Sequence, residues 1–240
     1  RMQDAEPIEV VTVDQDELAW LFYTSGTTGQ PKGAMLTHGN LKQMLLGFFM
    51  DVEKLDRADS MLHLAPMSHG SGLYNLAALH SGANQVVPAS GRFEPAEIFK
   101  LIEHYPGVFF FAAPTMVKRL IEAPGASRAN TANLKSIIYG GGPMYVADLH
   151  AAMGLLGNKL GQIYGQGESP MTITVLTKDM HRNATDMRLG SVGVPQSIVA
   201  VKLVDESGGE LPPGGVGEIC VRGAVVMKGY WNRPDATAAA

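Results

Sequence analysis

Cysteine and charged residues are both scarce in this sequence. Cys220 is the single cysteine among 240 residues, so no internal disulfide bond can form, and we expect a reducing, cytoplasmic environment. Charged residues make up 18% of the chain and the formal net charge is −4, which argues against a nucleic-acid-binding protein. Because the residues around Cys220 alternate like a strand, we predict a buried structural thiol and not a nucleophile.

Long apolar runs are absent as well. The most apolar stretch, residues 108–113, is too short to cross a bilayer, so we predict no transmembrane segment. Hydrophobic residues nevertheless make up 45% of the chain, which is ample for a buried core. The sequence leaves the oligomeric state open.

Several catalytic motifs are also missing. The sequence has no Gly-x-Ser-x-Gly elbow, since Gly70-Ser71-Gly72 has the wrong spacing. It has no His-Glu-x-x-His or paired-cysteine zinc site and no Gly-x-Gly-x-x-Gly turn. These absences argue against a hydrolase with a nucleophile elbow, a zinc enzyme and a dinucleotide-binding protein.

The most informative segment is residues 23–33, which read Tyr-Thr-Ser-Gly-Thr-Thr-Gly-Gln-Pro-Lys-Gly after an apolar run that predicts a buried strand. Hydroxyl groups, glycine backbone N–H groups and a lysine are the donors that a phosphate chain needs. The segment is not a Walker A loop, because the spacing differs and Pro31 directly precedes Lys32. Composition alone allows either a phosphate-binding loop or an ordinary polar hairpin loop.

This segment resembles the nucleotide-binding signature of the adenylate-forming superfamily, which includes acyl-CoA synthetases, aryl-CoA ligases and adenylation domains of peptide synthetases. Further blocks of that family follow in the same order, namely 65–73 (Ala-Pro-Met-Ser-His-Gly-Ser-Gly-Leu), 140–144 (Gly-Gly-Gly-Pro-Met), 162–168 (Gln-Ile-Tyr-Gly-Gln-Gly-Glu) and the pair 217–219 and 229–231. The resemblance covers nearly the whole chain and is greatest to bacterial fatty-acid-CoA or aryl-CoA ligases. It implies that the chain is a fragment without the C-terminal catalytic domain and its lysine.

Alternating strand and helix patterns predict an α/β fold with a mostly parallel sheet. We expect a core subdomain over residues 1–186 and the start of a smaller β-rich subdomain without helices over 187–240. The predicted strands are 18–23, 61–64, 85–87, 108–111, 136–139, 160–164, 199–204 and 217–221, and the predicted helices are 41–50, 72–80, 95–104, 114–122 and 144–153. Asn40 is the predicted N-cap of the first helix.

The resemblance implies ATP and Mg²⁺ as cofactors, coenzyme A as co-substrate and a small carboxylic acid as substrate. Glu168 is implied as the magnesium ligand, and Thr24, Lys32 and His69 join it in the catalytic set. His69 is expected to orient the acid and not to act as a base, since a carboxylate is already ionised at neutral pH. The implied nucleotide-binding residues are Thr24, Ser25, Gly26, Thr27, Thr28, Gly29, Lys32, Gly140, Gly141, Gly142, Gln162, Tyr164, Gly165 and Gly167.

One position departs from the family pattern. Gly167 stands where the family usually has threonine, which either removes a phosphate contact or leaves room beside the acyl group. The expected lining of the acid pocket is mostly apolar and consists of Met67, Gly72, Leu73, Tyr139 and Met171. Such a lining favours an aliphatic or aromatic acid over a charged one.

The sequence therefore predicts the core of an enzyme that activates a carboxylic acid with ATP, releases pyrophosphate and then forms a thioester with coenzyme A. Two alternatives remain open. In the first, the chain by itself is a nucleotide- or acyl-binding module without turnover. In the second, the parent is another adenylate-forming enzyme, such as an acyl-AMP ligase or a peptide-synthetase adenylation domain.

Overall fold

The computed structural model describes residues 8–24 and 31–240. Its strands are β1 (Leu18–Thr24), β2 (Lys32–Thr37), β3 (Ser60–Leu62), β4 (Asn84–Val86), β5 (Val108–Ala112), β6 (Leu134–Tyr139), β7 (Leu160–Gln166), β8 (Ser169–Leu176), β9 (Val194–Pro195), β10 (Ala200–Val204) and β11 (Glu218–Arg222). Its α-helices are α1 (His38–Gly47), α2 (Gly70–Ser81), α3 (Pro95–His104), α4 (Pro114–Ile121), α5 (Val146–Leu156), α6 (Lys178–His181), α7 (Asp186–Leu189) and α8 (Pro234–Ala238).

A seven-stranded sheet in the order β4-β3-β5-β6-β7-β8-β9 organises the molecule. The strands from β4 to β7 are parallel, whereas β8 and β9 are antiparallel to their neighbours. Helices α2 to α5 connect the parallel strands, as expected of an α/β fold. The predicted fold class is confirmed.

Both faces of this sheet are buried. Along β5, Phe109 and Phe111 face one apolar cluster with α1 and α2, whereas Phe110 and Ala112 face a second cluster with α3, α4 and α5. This arrangement explains why β5 is a continuous apolar run, since both faces of a parallel sheet are covered by helices. The carboxyl ends of the parallel strands meet at one edge, where ligands bind in open α/β sheets.

A hairpin of β1 and β2 packs against the first cluster. The expectation that β1 is buried is wrong for most of its length: Phe22 is buried, but Leu18 and Tyr23 are exposed. A two-stranded ribbon covers the core with one face only, so alternate side chains meet solvent. Residues 25–30, between the two strands, lie outside the described residues.

Several element boundaries differ from the prediction. Helix α1 begins at His38 because Thr37 is its N-cap; Asn40 lies at the third helical position, and its side chain accepts from the Thr37 N–H at 2.9 Å. The helix then passes into a π-helical turn over Phe48–Val52.

Strand β8 was not predicted, although it is buried throughout. The short helix α8 contradicts the expectation that residues 187–240 contain no helix.

Strands β10 and β11 form a separate two-stranded sheet. Cys220 on β11 is half-buried, so the expected burial of its thiol is wrong. Among the described residues, the second face of this two-stranded ribbon is exposed to solvent. The division at residue 186 stays a prediction, and β9, beyond that point, still pairs with β8. Within the described part of the chain, we find no helix of the length and apolarity that a bilayer span requires.

Candidate functional site

The cleft at the carboxyl edge of the sheet contains two cavities. The first has a volume of about 420 Å³ and is lined by Phe22, Tyr23, Thr24, His69, Gly70, Leu73, Phe111, Gly141, Ile163, Gly165, Gln166, Gly167, Pro170 and Met171. The second has a volume of about 440 Å³ and is lined by Gly141, Gly142, Pro143, Met144, Gln162, Ile163, Tyr164, Gly165, Leu189, Gly190 and Val192. The two cavities meet, because Gly141, Ile163 and Gly165 belong to both walls.

Glycines allow this shared wall to form. Gly141 has a positive φ of +79°, which a side chain would strain. A Cβ atom at Gly140 would lie 2.5 Å from the carbonyl oxygen of Ile163, and one at Gly165 would lie 2.7 Å from the Cα atom of Met171. Gly140 is therefore a buried packing position, whereas Gly141 and Gly142 face the second cavity.

The second cavity has an aromatic wall and a buried amide. Tyr164 is half-buried and lines it, as the resemblance implied for a residue that contacts a base. Gln162 also lines this cavity, and its Oε1 atom lies 3.2 Å from the hydroxyl group of Tyr139.

Tyr139 itself is not a pocket residue, and that prediction is wrong. It is fully buried in the second cluster, and its hydroxyl lies 2.9 Å from Nε2 of His181. Since Nδ1 of His181 donates to the carbonyl oxygen of Thr177 at 2.7 Å, Nε2 is the acceptor for Tyr139. Burial is the main cause that lowers the pKa of His181, and burial also raises the pKa of Tyr139.

The first cavity is mostly apolar. Leu73 and Met171 line it as predicted, whereas Met67 and Gly72 do not belong to its lining. Met171 has an unusual φ of +60°, and the buried side chain of Gln196 donates to its carbonyl oxygen at 2.8 Å. This hydrogen bond supports the positive-φ conformation of Met171 within β8.

His69 lies at the mouth of the first cavity, where the structure places it beside Phe22. The two rings are stacked, with centroids 4.8 Å apart. The stack fixes the imidazole plane toward the cavity, and His69 makes no side-chain capping bond to α2. This geometry supports an orienting contact with a bound acid.

The surroundings of Gly167 argue against the second of its two explanations, additional room beside an acyl group. A Cβ atom there would overlap the Thr24 methyl group and lie 2.8 Å from Cδ1 of Phe22. The space that a larger residue would occupy is thus filled by Phe22 and Thr24, so Gly167 does not leave free room beside the acyl group. Instead, the absence of a side chain lets Phe22 reach His69.

Thr24 and Lys32 are directly paired at the end of the hairpin, where the Thr24 hydroxyl lies 3.5 Å from the Lys32 carbonyl oxygen. Both side chains are half-buried; Thr24 lines the first cavity, whereas Lys32 belongs to the lining of neither cavity. The predicted phosphate-binding residues between them, Ser25, Gly26, Thr27, Thr28 and Gly29, lie outside the described residues.

Glu168 and Lys32 both contact Tyr230, a residue to which the sequence assigned no role. Tyr230 donates a hydrogen bond of 2.5 Å to Oε1 of Glu168, and Nζ of Lys32 lies 4.4 Å from the centroid of the Tyr230 ring. Burial, followed by the hydrogen bond to Glu168 and its charge, raises the pKa of Tyr230 to about 12. The one available signal was that Tyr230 belongs to the recognised block at 229–231.

The donor set at Glu168 fits Mg²⁺ only together with a phosphate chain. Among the described residues, no group of three or more His, Cys, Asp or Glu side chains is placed to hold a metal ion by itself. Mg²⁺ is commonly held by one or two carboxylates, with waters and substrate phosphates as the other ligands. Glu168, a single half-buried glutamate in the turn between β7 and β8, is compatible with that requirement.

Known proteins are similar to this chain in sequence and in architecture. The chain is 36% identical over 237 residues to "Feruloyl-CoA synthase" of an Amycolatopsis species, and 32% identical over 232 residues to "Medium/long-chain-fatty-acid--CoA ligase FadD8" of Mycobacterium tuberculosis. These matches cover 98% and 97% of this chain but 46% and 40% of the relatives, so the chain spans less than half of their length.

A solved structure also matches, that of the amide bond synthetase McbA from Marinactinospora thermotolerans, with a TM-score of 0.81 and 32% identity. The match covers 90% of this chain and 42% of that one. The model of a family described as "AMP-binding enzyme" matches residues 2–231, and the chain therefore belongs to the AMP-binding enzyme family.

Proposed function

We propose that the protein containing this chain joins a carboxylic acid to the α-phosphate of ATP, releases pyrophosphate and transfers the acyl group to coenzyme A. The observation that carries this proposal is the shared wall of the two cavities at Gly141, Ile163 and Gly165. An acid in the first cavity and an adenine base in the second would bring the carboxylate and the α-phosphate together at this wall. Family membership and the two CoA-ligase relatives support the same chemistry.

Each residue of the cleft has a distinct part in this proposal. Thr24 and Lys32 contact the phosphate chain, together with residues 25–29, which lie outside the described residues. Glu168 holds Mg²⁺, which supplies charge neutralisation between the phosphates. Tyr164 packs against the base, and His69 orients the acid carboxylate. Those groups that the structure describes lie at the carboxyl edge of the sheet or on the hairpin beside it.

The acid is a monocarboxylic acid with an aromatic or aliphatic body. The lining of the first cavity contains no lysine, arginine, aspartate or glutamate among the described residues, so a second carboxylate would have no partner of opposite charge. Phe22 and Phe111 offer aromatic surface on two sides. A relative named for feruloyl-CoA and another named for fatty-acyl-CoA support the two classes.

Coenzyme A is the proposed acceptor because both curated relatives are named as CoA enzymes. The solved structure of an amide bond synthetase has a similar architecture. The fold alone therefore does not identify the acceptor. The single cysteine supports our further proposal of a cytoplasmic location.

The proposal is tested by carboxylate-dependent ATP–pyrophosphate exchange with the full-length protein. Matched acids make the test sharp: cinnamic acid against 4-carboxycinnamic acid, and octanoic acid against octanedioic acid. We expect exchange with at least one monocarboxylic acid and a rate lower by about two orders of magnitude with its dicarboxylic partner, because the buried second charge is unpaired.

Two results would contradict the proposal. Absence of exchange with every aromatic and aliphatic acid would contradict adenylation, and equal rates for both members of a pair would contradict the assigned acid cavity. The 240-residue chain alone should show no exchange, because the resemblance places a catalytic lysine outside it. Exchange by the chain alone would show that this chain holds the complete machinery.

A further inference from the structure

Backbone hydrogen bonds hold Tyr230 in place. The segment 227–231 runs along β2: the N–H of Lys228 donates to Met35 O, the N–H of Met35 to Gly229 O, and the N–H of Trp231 to Gly33 O. On its other side, the N–H of Met227 donates to the carbonyl oxygen of Glu168 at 2.8 Å. The segment therefore fixes the hairpin that carries Lys32 and the turn that carries Glu168 relative to each other.

The side chain of Tyr230 contacts the functional groups of both residues. Its ring faces the Lys32 ammonium group, a favourable cation–π arrangement, and its hydroxyl donates to Oε1 of Glu168. Only 7% of Tyr230 is exposed. In the described part of the chain, Lys32 and Glu168 form no ion pair with each other.

The geometry points to Tyr230 as a positioning residue that keeps Lys32 and Glu168 separate and leaves one oxygen of Glu168 free for Mg²⁺. This inference rests on the proposed function. A direct ion pair between the two side chains would neutralise the Lys32 ammonium group, which we propose contacts phosphate, and the Glu168 carboxylate, which we propose holds the metal. Because Oε1 accepts a hydrogen bond from the Tyr230 hydroxyl, Oε2 is the more available oxygen of Glu168. A contact through one oxygen suits Mg²⁺ better than the larger Ca²⁺, for which bidentate carboxylates are common.

Two substitutions separate the ring from the hydroxyl group. Tyr230→Phe keeps the ring beneath Lys32 and removes the donor to Glu168, whereas Tyr230→Leu removes both. Trp231→Phe is the matched control, since Trp231 is a half-exposed neighbour in the same backbone segment. Among the described residues, the hydrogen bond to Glu168 and the cation–π contact with Lys32 come from Tyr230 and not from Trp231. Circular dichroism and thermal unfolding establish that each variant is folded.

The measurements use the full-length protein and two readouts of binding that require no turnover. The first is the affinity for a fluorescent ATP analogue in EDTA. The second is the affinity for Mg²⁺, and separately for Ca²⁺, in the presence of α,β-methylene-ATP. We expect Tyr230→Phe to leave the affinity for the ATP analogue in EDTA unchanged. It should weaken Mg²⁺ binding about tenfold, as loss of a hydrogen bond to a metal ligand does. The affinity for Ca²⁺ should change little. Tyr230→Leu should weaken both readouts.

The possible outcomes are distinguishable. If Tyr230→Phe binds Mg²⁺ and Ca²⁺ as the wild type does, or loses affinity for both equally, the positioning role is wrong. If Trp231→Phe gives the same change as Tyr230→Phe, the effect belongs to the backbone segment and the role is also wrong. If the wild-type protein itself binds no ATP analogue, the proposed function fails first.

Discussion

At the scale of single residues, the consequence of Gly167 is the clearest. The family pattern has threonine at this position, yet here Phe22 and Thr24 occupy the space and Phe22 stacks on His69. A side chain at position 167 would press on Phe22, the ring that stacks on His69 at the first cavity. A threonine there should therefore harm this protein, because its Cβ atom would meet Thr24 and Phe22.

We therefore expect opposite effects from alanine at two glycines. Gly167→Ala should destabilise the chain by about 1–3 kcal/mol, because its Cβ atom overlaps Thr24 and presses on Phe22. Gly154→Ala, within α5, should stabilise it by about 0.4–1 kcal/mol, because a Cβ atom there meets no atom within 4 Å. Urea unfolding of both variants measures the two free energies of unfolding. Equal effects would show that the contacts at Gly167 do not decide the outcome.

The resemblance implied that Lys32 and Glu168 belong to one functional set. In the structure both contact Tyr230, and their roles in binding stay predictions. Tyr139 was misplaced because the alternation of a strand tells which residues share a face, but not which face borders the cavity. The role of Tyr230 depends on contacts with residues distant in sequence, which no local pattern reveals.

At the scale of elements, strong apolar periodicity and proline at the first helical turn located α3 and α4 within a residue of the observed ends. Strand β8 was missed because its sequence, Ser-Pro-Met-Thr-Ile-Thr-Val-Leu, mixes a proline and hydroxyl residues with apolar ones, and none of these face solvent. Burial on both sides depends on neighbouring elements, so alternation gave no signal there.

Helix α6 contributes a pH-dependent contact to the sheet through His181. Burial lowers its pKa in the folded state below the ordinary value of about 6.5 that it keeps when unfolded. The unfolded chain therefore binds the proton first, so stability is fully present above pH 6.5 and is lost as the pH falls from there toward the folded-state pKa.

We expect His181→Gln to remove this pH-dependent contribution to the free energy of unfolding. Its free energy of unfolding should change less than that of the wild type between about pH 6.5 and pH 5, a range above the usual titration of carboxyl groups. Urea unfolding at several pH values measures the slope, and His104→Gln, at an exposed position, is the control. An unchanged slope in His181→Gln would assign the pH dependence to other groups.

At the scale of the whole molecule, stability and function are carried by different parts. The two apolar clusters on either side of the sheet contain the large, fully buried side chains, whereas Lys32 and Glu168 are half-buried at the edge of the sheet. Residues of the core determine whether the chain folds. If the proposed function holds, residues of the edge act on a bound phosphate chain, so substitutions in the two regions should affect different measurements.

We accordingly expect Lys32→Ala and Glu168→Gln to reduce ATP–pyrophosphate exchange by the full-length protein about 10²–10³-fold, as removal of a group that stabilises transition-state charge does. The free energy of unfolding of the chain should change by less than about 1 kcal/mol, because neither side chain fills the core and glutamine still accepts from Tyr230.

Phe109→Ala is the opposite case: it should lower the free energy of unfolding by about 3–5 kcal/mol, since Phe109 is fully buried. If either edge variant unfolded as readily as Phe109→Ala, its lost activity would no longer support a catalytic role. If both retained wild-type exchange, their assigned roles in adenylation would be wrong.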